Sequence, residues 1–144
     1  MLRRLSSTSS LWATVPLRLA LGIAFTGHGA QKVLGSFNGP GWAKFTSSPA
    51  PFPFMRPAWL WMGAAAVSEL IGGILVLLGL FTRVGAFLIA CVMLVAIFGV
   101  LWPRFFAPEG MELAVAFLGM ALALLITGGG QASVDLMIGG GRRR

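Results

Sequence analysis

The sequence predicts an all-α fold, a polytopic four-helix bundle in a membrane with both termini in the cytoplasm. Three observations lead there. Only 10% of the 144 residues are charged and 57% are hydrophobic, whereas an average soluble domain carries about 25% charged residues. Mean hydropathy is +0.87, and eleven basic with four acidic side chains cannot coat a water-soluble globule of this length, which excludes a soluble bundle. Four apolar stretches each approach the roughly 20 residues needed to cross a hydrocarbon core about 30 Å thick. The length suits one domain, spanning 1–144.

The first stretch runs over 11–34, the second over 57–80, the third over 83–102 and the fourth over 111–127. Pro57 suits a first helical turn, Pro103 stops the third helix and Gly128-Gly129-Gly130 ends the fourth. Strands of a membrane barrel need alternating ten-residue segments, and the sequence has none. With both ends on one side, that side holds Arg3, Arg4, Arg83, Arg142, Arg143 and Arg144, against Lys32, Lys44, Arg56 and Arg104 opposite. Six basic residues against four place both termini in the cytoplasm. This use of the net charge of +7 makes a nucleic-acid partner unnecessary, and none is expected. Met1 to Ser10, two arginines and a serine cluster, reads as a short amphipathic extension at the inner leaflet rather than a cleaved signal, because Arg18 interrupts the apolar run behind it.

A 22-residue connection, 35–56, joins the first two helices and holds Phe37, Trp42, Phe45, Phe52 and Phe54 among four prolines. Loops of this length without their own secondary structure are uncommon and often functional. Its aromatic content predicts an anchor at the outer interface, with capping of a cavity between helix ends as the alternative.

Ionisable residues inside the apolar runs carry the most information, since they are costly and face the protein interior. Glu69 lies near the middle of the second helix. Ten Leu, Ile and Val residues between Trp59 and Leu80 contribute about −3 to −6 kcal/mol to insertion, and one central carboxylate opposes them by about 2.5–3.5 kcal/mol. Glu69 must therefore be neutral, paired or facing water, and Gly72 and Gly73 permit the close helix approach that would supply a partner. Counting about 1.5 Å per residue from the inner helix ends puts Arg18 about 10 Å and Glu69 about 16 Å deep on antiparallel helices, an offset the long arginine stem covers. An Arg18–Glu69 ion pair, direct or through water, is therefore expected, with a role in helix packing alone as the alternative. Near the outer end, His28, Gln31 and Lys32 share one helical face, with Glu112 at the same level. These four are candidates for binding a polar ligand head; the alternatives are snorkelling for Lys32, helix-terminus electrostatics for Glu112 and packing for His28.

Cys91, the one cysteine, excludes an intramolecular disulfide or a dithiol couple within the chain, and is expected as a small buried hydrophobe. One histidine and one cysteine fall short of zinc, haem or copper ligation, so no metal is expected. Gly139-Gly140-Gly141 lacks the Lys-Ser or Lys-Thr of a phosphate loop.

Three stretches together resemble the DoxX family: Arg18-Leu19-Ala20-Leu21-Gly22 leading to His28-Gly29-Ala30-Gln31-Lys32; Glu69-Leu70-Ile71-Gly72-Gly73 leading to Gly79-Leu80-Phe81-Thr82-Arg83; and Gly110-Met111-Glu112 leading to Gly128-Gly129-Gly130-Gln131-Ala132-Ser133-Val134-Asp135. The resemblance implies a small four-helix membrane protein associated with the membrane subunit of thiosulfate:quinone oxidoreductase and with membrane redox and oxidative-stress complexes. It implies that Arg83, Ser133 and Asp135, at the inner face, join Arg18, His28, Lys32, Glu69 and Glu112 as the family's polar positions.

The expectation is a multi-pass protein of the bacterial cytoplasmic (inner) membrane. It would be a subunit of a redox complex, binding a quinone or similar isoprenoid between helices. Without a redox centre of its own, it would be at most part of a quinone-linked oxidoreductase, and would need other membrane subunits or a second copy. A non-catalytic scaffold packing through its glycine faces and a small-molecule carrier using Glu69 are the alternatives.

Overall fold

The computed structural model describes residues 11–106, 108 and 110–139. The N-terminal extension and the arginines at 3, 4 and 142–144, which carry much of the orientation argument, lie outside them. The described chain is all-α, with no strand among the described residues. Its helices are α1 (Thr14–Val33), α2 (Gly41–Thr46), α3 (Ala58–Leu78), α4 (Thr82–Ala96, prolonged by a π-helical turn, Ile97–Leu101), α5 (Glu112–Thr127) and α6 (Val134–Ile138). The long helices pack in sequence, α1 on α3, α3 on α4 and α4 on α5, and α5 returns to α1.

By length and composition two helices can cross a membrane, Ala58–Leu78 with 21 residues and Thr82–Leu101 with 20; α5 is apolar but shorter. The outside of the molecule is apolar on every long helix: Ile23, Ile71, Phe87, Leu122 and Ile126 are all exposed. A soluble monomer rarely shows such continuous apolar surface. The interior is built from Leu21, Phe25, Val76, Ile89, Ala121 and Leu124.

The register of α1 on α3 decides where the polar side chains go. Gly22 lies against Leu77, Gly73 against Thr26 and Gly29 against Leu70. Each pair steps up one helix while stepping down the other, so the helices run antiparallel with their backbones in close contact. At each glycine an added Cβ would collide with the neighbouring helix, which is how small residues set a packing register.

The connection over 35–56 is more structured than the sequence suggests. It contains a 3₁₀ turn, Ser36–Asn38, and the helix α2. The turn folds back onto the backbone of Gln31 through Gly39, and Trp42 packs on Gly63 of α3. The connection therefore lies across the ends of the long helices instead of looping away.

Candidate functional site

The described chain ends, Leu11 and Gly139, lie at one end of the molecule; the 35–56 connection lies at the other. Each end organises one set of costly side chains.

At the termini end α3 stops at Gly79, whose φ of 67° is left-handed. The Leu80 N–H donates to the Leu75 carbonyl at 3.0 Å and the Gly79 N–H to the Val76 carbonyl at 3.1 Å, a Schellman closure that favours glycine. A Cβ at Gly79 would also meet the Arg18 guanidinium and the Ser133 side chain. Arg18 is 4% exposed. Its Nε donates to the Val76 carbonyl at 3.1 Å and its Nη2 to the Leu77 carbonyl at 3.2 Å. Its Nη1 donates to the carbonyls of Gly129, Gln131 and Ala132 at 3.0, 3.2 and 3.1 Å. A planar fork of fixed N–H donors thus ties the last carbonyls of α3 to the loop after α5, and the cation sits at the negative end of the α3 dipole.

The same layer holds Asp135, 1% exposed. Its carboxylate accepts from the Phe81 N–H at 2.7 Å and the Thr82 N–H at 2.8 Å, satisfying the first donors of α4 from a distant part of the chain. The Ser133 hydroxyl donates to the Gly130 carbonyl at 2.6 Å and accepts from the Leu136 N–H at 3.2 Å, capping α6. The Thr14 hydroxyl reaches the Gly129 carbonyl at 3.1 Å, and the Arg83 guanidinium donates to the Ile126 carbonyl at 2.8 Å.

At the connection end Lys32 forms an ion pair with Glu69, whose side chain is 4% exposed against 23% for Lys32. The Lys32 ammonium also sits 5.3 Å from the centre of the Phe45 ring, within cation–π range. The pair lies on the wall of a cavity of about 750 Å³ between the connection-end halves of α3 and α4, roofed by the connection. Gly72 and Gly85 hold these helices together toward the termini end, while Pro51 and Phe52 pack on Gly99 at the other. Pinned at one end and held apart at the other, the helices leave a gap. The π-helical turn contributes Gly99, Val100 and Leu101 to its wall; such turns recur at functional sites.

The expected Arg18–Glu69 pair does not form. Ten residues separate Glu69 from Gly79, where Arg18 lies, and that is about 15 Å of helix. Depth counted from the helix ends holds only if Leu11 and Leu80 are level. In fact α1 overshoots α3, and the Leu11 carbonyl accepts from the Gln131 N–H at 3.2 Å. The glycine seam, not the helix ends, sets depth.

The outer candidate cluster also divides. Lys32 lines the cavity, but His28, Gln31 and Glu112 do not. His28 is exposed, its ring 6.2 Å from that of Phe25, which meets Phe117 edge-on. Residues on one helical face spread over enough arc that Lys32 turns toward α3 and His28 toward α5. Gln31 is half-buried beneath the 3₁₀ turn, and Glu112 half-buried as the first residue of α5. Cys91, expected to be buried, is exposed on the cavity wall, because the parting of α3 and α4 uncovers it. Phe45, one of the aromatic residues of the 35–56 connection, lines the cavity, as the capping alternative expects, and so does Ser68, which the sequence marks only by its place beside Glu69.

An apolar exterior on every long helix, around an interior holding one polar lock and one charge-paired cavity, defines a helical membrane protein. Residues 13–102, well over half the chain, match the model of the DoxX family, and the chain belongs to that family. The match runs from the start of α1 to the end of the π-helical turn, so the third stretch of resemblance, at 110–135, lies outside it. No curated protein and no solved structure matches the chain.

Proposed function

We propose that this DoxX protein is a four-helix subunit of a membrane redox complex that binds a quinone, or a similar isoprenoid lipid, in the cavity between α3 and α4. Both termini would lie in the cytoplasm, and the membrane would be the bacterial inner membrane. The observation that carries this reading is the cavity itself. Its volume of about 750 Å³ falls within the range of small-molecule sites, which are mostly apolar with a few placed polar groups. Here the Lys32 ammonium and the Ser68 hydroxyl are donors for a carbonyl head, and Val92, Val95 and Ala96 offer an apolar wall to a tail. A bound quinone would supply electron-accepting chemistry, with electrons delivered by another subunit.

The test is the lipid extract of protein purified in mild detergent. Quinone at one molecule per chain, lost in a folded Lys32→Met variant, supports the reading. A tightly copurifying protein partner with no lipid-like molecule in the cavity would replace it with the scaffold alternative.

A further inference from the structure

We infer that the cavity selects amphiphiles by the charge of their heads, taking an uncharged head and rejecting an anionic one. The inference rests on the reading of the cavity as a lipid-like ligand site. Among the described residues that line it, Lys32 and Glu69 carry the only charges, and they are already paired. The other polar groups on the lining residues are the hydroxyls of Ser48 and Ser68, the Cys91 thiol and the Trp61 indole N–H, all uncharged. An uncharged head can accept from Lys32 or bond to Ser68 without breaking the pair.

An anionic head has to take Lys32 from Glu69. The carboxylate it leaves behind is the more buried partner, at 4% side-chain exposure, and a buried carboxylate without a cation is strongly disfavoured. A cationic head is a milder case. It can pair with Glu69 while Lys32, at 23% exposure, extends its long stem toward water. The expected order is therefore uncharged, then cationic, then anionic, and the asymmetry arises from the unequal burial of the two partners.

The probes are three amphiphiles with one tail: 1-dodecanol, dodecylammonium and dodecanesulfonate. Binding of tritiated dodecanol to the purified protein in mild detergent is measured directly, and the two charged compounds compete against it. The inference expects saturable dodecanol binding that disappears in Cys91→Trp, where the indole fills the cavity. It expects dodecanesulfonate to compete only at concentrations about tenfold or more above unlabelled dodecanol, a difference of about 1.4 kcal/mol. In Glu69→Gln, where Lys32 has no anionic partner, the sulfonate should improve by a similar factor and the gap to dodecanol should close. Equal competition by sulfonate and dodecanol in the native protein overturns the charge selection while leaving the cavity a ligand site. Absence of saturable binding, or binding indifferent to Cys91→Trp, overturns the ligand site and the inference together. The native protein alone decides the first comparison, so the test stands even if Glu69→Gln does not accumulate.

Discussion

At the end of the molecule that carries the chain termini, Arg18 bonds only backbone carbonyls: two from the end of α3 and three from the loop after α5. At the opposite end Lys32 and Glu69 bond each other beside open space. Both arrangements keep ionisable groups among apolar helices, yet they differ in what surrounds them. Around Arg18 the polar atoms of Thr14, Ser133 and Asp135 complete a closed layer. Around Lys32 and Glu69 the packing is interrupted. A costly side chain in a membrane protein is thus no guide to function by itself; whether its surroundings are closed or open separates a structural lock from a candidate site.

The largest effect is expected where the layer is closed. Arg18→Met removes the five hydrogen bonds that the guanidinium donates, and at about 1.5–3 kcal/mol for each charged hydrogen bond the variant should fail to accumulate as monodisperse protein in detergent. Arg18→Lys should not restore it, because an ammonium lacks the planar fork; recovery by lysine would show that charge, not geometry, holds the layer. Asp135→Ala should follow, lowering stability by about 1–3 kcal/mol by taking the acceptor from the buried Thr82 N–H and the partly buried Phe81 N–H at the start of α4, read as a drop in the midpoint of thermal aggregation.

The two ends should also be energetically separate. A double-mutant cycle over Lys32→Met and Glu69→Gln should reveal a coupling of about 0.5–3 kcal/mol. Asp135→Asn combined with Glu69→Gln should add to within about 0.5 kcal/mol. Coupling of the second pair as strong as the first would erase the distinction between the layers. Cys91→Trp adds volume to open space instead of removing a contact, so it should cost no more than about 1–3 kcal/mol, the range for an overpacked core site, while abolishing any copurified quinone. Smallest of all, His28→Ala should alter stability by no more than about 0.5 kcal/mol, as for other exposed positions, and leave quinone content unchanged. A loss of quinone there would move the site to the α1–α5 side.

Much of the helical layout was legible because it is local. Apolar run length, Pro57, Pro103 and the glycines after Thr127 announce where helices begin and stop, and the helices start or end within a few residues of those signals. Arg18 and Glu69 were recognisable as side chains in need of partners, since burial cost depends on residue type and position in an apolar run. Their partners were not recognisable. Lys32 shares one helical face with His28 and Gln31, and a helical wheel has no information about which part of that face meets a neighbour. The exposure of Cys91 is hidden for the same reason: a small apolar residue in an apolar run carries no sign that the adjacent helix parts from it.

The amino-acid sequence by itself determined that this chain is helical, apolar outside and supplied with a few polar groups that must be satisfied, because those properties follow from composition and from spacing along one chain. Only the tertiary structure decided who satisfies whom. The glycine seam between α1 and α3 slides one helix along the other until Arg18 meets the end of α3 and Lys32 meets Glu69. The gap beside that pair exists because two helices are joined at one end and propped apart at the other. Register and separation are relations between helices, and no property of either helix alone contains them.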